Sequence, residues 1–206
     1  NPSVESELLS PAGIKSYQKI LGSINYFTRL RPDLSLVYNK LAQRLQSPTK
    51  ANAKQADKVI GYLKQHPSMP IVVDPNNLYN CPNDKVLTAY SDASYSDCKE
   101  TRKSQLGYII FLYGIPIAWN STRSPNVCQS VNESEFLAAN MVSVKLQFIK
   151  QILIELQTPI ADTPTLYMDN EVAIGLLKNT CQYKKSKAIE VKYRYVQEMA
   201  RANQLS

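Results

Sequence analysis

Three carboxylates sit where strands or a helix would hold them still. In "LTAYSDASYSD" a run of β-forming residues starts at Leu87, climbs to Tyr90 and then delivers Asp92. In "TLYMDNEV" a second short run delivers Asp169, directly before Asn170 and a helical pattern. Between them, "NESEFLAANMV" places Glu135 in the first turns of a long helix. Carboxylates without His or Cys are hard oxygen donors, the set that suits magnesium, with manganese as the substitute. A pair of such ions cleaves a phosphodiester without a protein nucleophile. One ion lowers the pKa of an attacking water and the other stabilises the leaving oxygen. The lack of a histidine in this region is therefore no objection.

Each acid also has an ordinary reading. Asp92 suits a turn that caps Ala93 and Ser94. Asp169 suits the N-cap of the helix after it. Glu135 suits a solvated charge near a positive helix end, and Glu133 competes with it for any active role. Glu135 does lie beside Ala138, Ala139 and Val142, small residues that permit close packing. The joint placement of the three acids carries the chemical reading, and no single residue does.

The elements that position them follow from periodicity. Val86–Ser91 reads as a strand with Asp92 at its end. Gly107–Tyr113 and Ile115–Asn120 read as a hairpin turning around Gly114. A helix is predicted from Asn132 to Leu156, with Leu137, Met141, Val144, Phe148 and Ile152 as its inner stripe. Pro164–Met168 is a fourth strand, Asn170–Lys178 a short helix, and Ile189–Ala202 a last helix. Three consecutive strands can pair antiparallel, and the fourth can return parallel to the first. The fold class is then α/β (α+β), a mixed sheet with flanking helices. Asp92 and Asp169 would share one edge, and a helix laid across the sheet would bring Glu135 to them.

Upstream the pattern is helical. Ile20, Leu21, Ile24 and Phe27 mark one helix between Tyr17 and Leu30. "RPDLSLVYNKLAQRL" starts another, with Pro32 and Asp33 suited to its first turn and Leu34, Val37, Leu41 and Leu45 on one face. "SPTKANAKQADKVIGYLKQHP" is a third, ending before Pro67. The expected organisation is a helical unit over 1–68, a turn-rich linker with one short strand over 69–84, and a sheet domain over 85–206.

The chain of 206 residues carries a formal net charge of +7, a balance that favours a polyanionic partner, nucleic acid first. Its four cysteines, Cys81, Cys98, Cys128 and Cys181, are widely spaced beside a single histidine, His66. That pattern argues against zinc and fits reduced thiols inside a cell. No apolar run approaches membrane-spanning length, so no membrane association is expected. The start, "NPSVESELLSPAG", has neither the basic lead nor the apolar core of a signal peptide and reads as the beginning of a fragment.

The residues also resemble a known family. "AYSDASYSDCKETRKSQLGYIIFLYGIPIAWNS" is similar to the start of the ribonuclease H domain of copia-type LTR retrotransposon Pol polyproteins. There Tyr-Ser-Asp-Ala is followed by Thr-Arg-Lys-Ser, Gly-Tyr and a hairpin ending near Trp-x-Ser. "QSVNESEFLAANMV" resembles the family's Ser-Thr-Glu-Ala-Glu-Tyr-x-Ala, "TLYMDNEVAIGLLKN" its strand ending in Asp-Asn, and "SKAIEVKYRYVQE" the helix after that. "YQKILGSINYFTRLRPDLSLVYNKLAQRLQSPTKANAKQADKVIGYLK" resembles the segment between the polymerase palm and the ribonuclease H domain. The resemblance runs from about Ser16 to Glu198.

It implies a ribonuclease H-like fold preceded by a helical thumb or connection unit of reverse transcriptase. It implies Asp92, Glu135 and Asp169 as ligands of two Mg2+ ions, with Glu133 in support. The substrate implied is an RNA–DNA hybrid, contacted by Asn132, Asn170, Arg102, Lys103, Lys184, Lys185 and Lys187. The other partners implied are the remaining parts of the Pol polyprotein, the polymerase palm and fingers and the integrase. The place implied is intracellular, in a cytoplasmic virus-like particle or the nucleus. Two departures are expected to matter. Lys187-Ala188-Ile189-Glu190 stands where the family reads Lys-His-Ile-Asp. The family's last strand and its Ala-Asp helix, carrying a fourth acid, would come after "ARANQLS". Two other readings follow: an inactive Pol remnant that keeps the fold and at most binds nucleic acid, and a polynucleotidyl transferase sharing the sheet and the acids. The Arg-Pro-Asp helix and the hairpin pattern argue against the transferase.

Overall fold

The computed structural model describes residues 7–76, 86–158, 163–171, 174, 187–202, 204 and 205. The chain divides into two compact units, Asn1–Ile71 and Val72–Ser206.

The first unit is helical: α1 (Pro11–Phe27), a 3-10 turn (Pro32–Leu34), α2 (Ser35–Ala42) and α3 (Lys50–Gln65). α1 begins six residues before Tyr17 because Ser10 caps it, its hydroxyl accepting from the Gly13 N–H at 3.3 Å, and Pro11 fits the first turn. Thr49 and Asn52 form a reciprocal cap at the start of α3. Tyr17, Leu21, Ile24, Leu34, Leu41, Ala56 and Val59 make the core. Within that core the Tyr17 hydroxyl donates to the Leu41 carbonyl at 2.8 Å. The Arg-Pro-Asp motif is structural. Arg31, 7% exposed, donates to both carboxylate oxygens of Asp33 at 2.9 and 2.8 Å and to the His66 carbonyl at 2.9 Å. Its guanidinium lies over the Tyr62 ring, whose hydroxyl donates to Asp33.

The second unit contains β1 (Leu87–Ser94), β2 (Gln105–Leu112), β3 (Ile115–Arg123), α4 (Val131–Glu155), β4 (Thr165–Met168) and α5 (Lys187–Arg201). The sheet order is β3-β2-β1-β4. β1 pairs antiparallel with β2 and parallel with β4, the mixed sheet the sequence predicts. Tyr113 and Gly114 form a two-residue turn with φ of 52° and 76°, which matches the twist of the hairpin they join. α4 packs on β1 and β2, and α5 packs on α4. The core holds Leu87, Ala89, Ile110, Phe136, Val142, Leu146, Leu153, Val196 and Met199.

Three expectations are corrected. β1 does not stop at Asp92, because Ala93 and Ser94 go on to pair with Leu106 and Gln105. The available partner strand overrides their weak strand propensity. The inner face of α4 is not the expected stripe. Leu137 and Met141 are half-buried beside Ala138, whereas Val144, Phe148 and Ile152 are exposed. The face on the sheet is Glu135, Ala138, Ala139, Val142, Ser143, Leu146 and Leu153. Its small residues let the helix approach the strands closely. α4 also reaches the length and apolar composition of a membrane span, against the expectation that no segment would, although one face of it lies on the sheet. Residues 70–76 form no strand, and the remainder of the linker, with Cys81, where the expected short strand would then fall, lies outside the described residues. The same holds for most of the helix expected over Asn170–Lys178, and for Cys181, Lys184 and Lys185.

Candidate metal centre

Asp92 lies on the open side of β1, exposed like its same-face neighbours Tyr90 and Ser94. Opposite it on β2 stands Gly107, so no side chain flanks the carboxylate on that strand. The parallel ladder of β1 and β4 ends at Ser91 and Met168. One step further along both strands come Asp92 and Asp169. Glu135 arrives from the first turns of α4. That helix starts where it does because Ser130 accepts from the Glu133 N–H at 3.2 Å and the Glu133 carboxylate accepts from the Gln129 N–H at 2.8 Å. Glu133 thereby anchors the helix entry, while Glu135 faces the sheet.

One ligand oxygen from each of Asp92, Glu135 and Asp169 lies within 4.8 Å of the others. The span across one octahedral magnesium shell is about 4.2 Å, twice its bond length, so a small contraction would complete it. Asp92 and Asp169 are exposed, and Glu135 is buried at 3% exposure. Its Oε2 is buried with no hydrogen-bond partner among the described residues. Burial first, then the Asp169 and Asp92 charges, push the Glu135 carboxyl up to about 7, against the Ala93 backbone N–H, which favours the charged form. A buried carboxylate beside two others, with an orphan oxygen, is stabilised by a cation in a way no side chain among the described residues provides. The residues therefore fit a divalent ion.

The residues expected at nucleic acid behave differently from one another. Asn170 and Asn132 come together, the Asn170 Nδ2 donating to the Asn132 Oδ1 at 3.1 Å. Arg102 is exposed, with a φ of 54° in the connection between β1 and β2. The Lys103 ammonium donates to the Pro125 carbonyl. Lys187 opens α5, and its side chain lies outside the described residues. Sequence reasoning missed where the positive charge resides. Residues 1–71 hold ten Lys and Arg against four Asp and Glu, a net +6 of the chain's +7. Counting charge by unit would have found it.

The chain is 30% identical over 189 residues to a retrovirus-related Pol polyprotein from transposon RE1 of Arabidopsis thaliana, covering 92% of this chain and 12% of that protein. It is 31% identical over 189 residues to the Pol polyprotein from transposon RE2 of the same plant, covering 92% and 13%. The chain thus spans about an eighth of the length of these relatives. No family model matches it. Among solved structures it is similar to LC11-RNase H1 isolated from compost, at 16% identity and a TM-score of 0.44, covering 59% of this chain and 81% of that one.

Proposed function

We propose that this chain, a relative of one segment of the Pol polyproteins of copia-type transposons, hydrolyses the RNA strand of RNA–DNA hybrids during reverse transcription. The observation that carries the proposal is the convergence of Asp92, Glu135 and Asp169 within 4.8 Å around a buried orphan oxygen of Glu135. An all-oxygen set of this kind favours Mg2+, with Mn2+ as its substitute. Two such ions, when bound, would supply activation of a water and neutralisation of the leaving 3'-oxygen. The protein's own part is placement. Glu135 anchors the centre from below, in a region that excludes water. Asp92 and Asp169 face outward, where a phosphodiester can approach. No side chain needs to act as nucleophile.

The same reading assigns the substrate. A hybrid presents a wide minor groove with 2'-hydroxyls on one strand only, which separates it from DNA duplexes. The exposed Arg102 and the basic helical unit supply phosphate contacts. The working partners are then the polymerase and integrase parts of the same polyprotein, and the working place is the cytoplasmic particle in which reverse transcription proceeds.

The test is a substrate panel. The chain is incubated in Mg2+ with an end-labelled hybrid, the matching RNA duplex, the matching DNA duplex and single-stranded RNA. The proposal expects internal cleavage of the RNA in the hybrid alone, abolished by EDTA. Binding without cleavage would favour an inactive nucleic-acid-binding chain, and cutting of the DNA duplex would favour a transferase-type activity.

A further inference from the structure

We propose that the side-chain hydrogen bond between Asn170 and Asn132 is a clamp that sets the separation of Asp169 and Glu135, and through it the affinity for divalent cations. The inference rests on the metal reading above. Asn170 directly follows Asp169, past the last rung of the β4 ladder at Met168. Its backbone is pinned on the far side, where its carbonyl accepts from the Ile174 N–H at 2.9 Å. Asn132 precedes Glu135 by three residues on α4, so both lie on one face of that helix. The Asn170 Nδ2 donates to the Asn132 Oδ1 at 3.1 Å. That bond ties the segment holding one acid to the helix holding another.

Such a tie matters because carboxylates crowded this closely repel one another when they ionise with no cation present. Asp169 stands on a bend beyond β4, past the last rung of its ladder with β1. Without the clamp, repulsion would open the site, and cation binding would have to order it again. With the clamp the ligands are held close beforehand, the usual role of residues that support metal ligands. Asn132 and Asn170 are therefore positioning residues, in contrast to the substrate contacts expected from sequence.

The measurement is calorimetric titration of the full chain with Mn2+, without nucleic acid. Asn132→Ala and Asn170→Ala are each expected to weaken Mn2+ binding by about tenfold, the low end for supporting residues. The double variant is expected to be no weaker than Asn170→Ala alone, because both substitutions remove the same Asn170–Asn132 bond. Asn170→Ser serves as a milder variant where an alanine variant fails to fold. At saturating Mn2+ the KM for hybrid should stay within twofold of the parent's. Unchanged Mn2+ affinity, or losses that add in the double variant, would overturn the clamp. So would a raised KM with intact Mn2+ binding, which would return both residues to substrate contact. No Mn2+ binding by the parent chain would overturn the clamp and the metal reading together.

Discussion

Tyr90 of β1 stacks on Tyr167 of β4, ring centroids 4.9 Å apart and planes within 20°, and each ring stands two residues before an acid of the site. Tyr90 leads to Asp92 and Tyr167 to Asp169, and the two tyrosines are register partners in the parallel ladder. Phe111 adds an edge-on contact to Tyr90. The stack clasps the two strands just below the point where their acids meet. Tyr167→Ala is expected to cost about 1–2 kcal/mol by urea unfolding, from the lost stack and the lost cross-strand pair. Mn2+ affinity should fall with it. Tyr167→Phe should keep both.

Acidity gives a second expectation. Glu135 is held up to about 7 by burial and by Asp169 and Asp92, whereas an unfolded Glu titrates near about 4.3. Between those values the folded chain keeps a proton that the unfolded chain has lost, so metal-free stability should fall as pH rises through that window. The full span is worth ~4 kcal/mol, taking about 1.4 kcal/mol per unit. Mg2+ competes with that proton, so its stabilising effect should be larger at pH 8 than at pH 5. Thermal melts at both values, with Mg2+ and with EDTA, check this. Glu135→Gln should raise the metal-free melting temperature at pH 8 and abolish the Mg2+ effect. A melting temperature independent of pH, with an equal Mg2+ shift at both values, would contradict the account.

In the helical unit, Arg31 is the residue whose loss should be felt most. Its guanidinium meets Asp33, the His66 carbonyl and the Tyr62 ring at once. The hydrogen bonds from Arg31 hold the Asp33 carboxyl below its usual range. The stability from this pair is therefore present at neutral pH and lost as pH falls through the lowered Asp33 value. Arg31→Ala should destabilise this unit by about 2–4 kcal/mol, since it removes one partner of a largely buried pair. Arg31→Lys should recover only part of that, because a lysine cannot bridge both carboxylate oxygens. Urea unfolding followed by far-ultraviolet circular dichroism reads both.

The excess positive charge of residues 1–71 predicts how hybrid binding responds to salt. Lys54 and Lys58 are exposed one turn apart on α3. If they neutralise phosphates, Lys54→Glu with Lys58→Glu should weaken hybrid binding in low salt. The slope of log affinity against log salt should become shallower by about 1.4–1.8, or 0.7–0.9 per contact. The same slope in parent and variant would remove α3 from the interface.

Much of this architecture is legible in the sequence because local chemistry and topology agree. Gly114 between two apolar runs marks the hairpin, and the spacing of the strands leaves the fourth one place to go, beside the first. That register is what makes Asp92 and Asp169 neighbours. Other features depend on partners that a sequence does not display. Ser94 belongs to β1 only because Gln105 begins β2 where it can pair with it. On α4, apolar side chains occur on two opposite faces. Large residues such as Phe148 suggest the inner one, yet Ala138, Ala139 and Ser143 win because a small-residue face can lie closer to the strands. Asn132 and Asn170 are visible as polar residues beside acids, but nothing in their spacing shows that they bond to each other.

The central claim is that Asp92, Glu135 and Asp169 together run metal-dependent cleavage of RNA in a hybrid. The most direct measurement is the single-turnover cleavage rate of the parent chain and of Asp169→Asn at saturating Mg2+, with hybrid binding measured in parallel. Asn keeps the size of Asp169 and removes its charge. The account predicts cleavage by the parent, a loss on the order of 100-fold or more in the variant, and hybrid affinity within a few-fold of the parent's. Equal cleavage rates in the two proteins would contradict it.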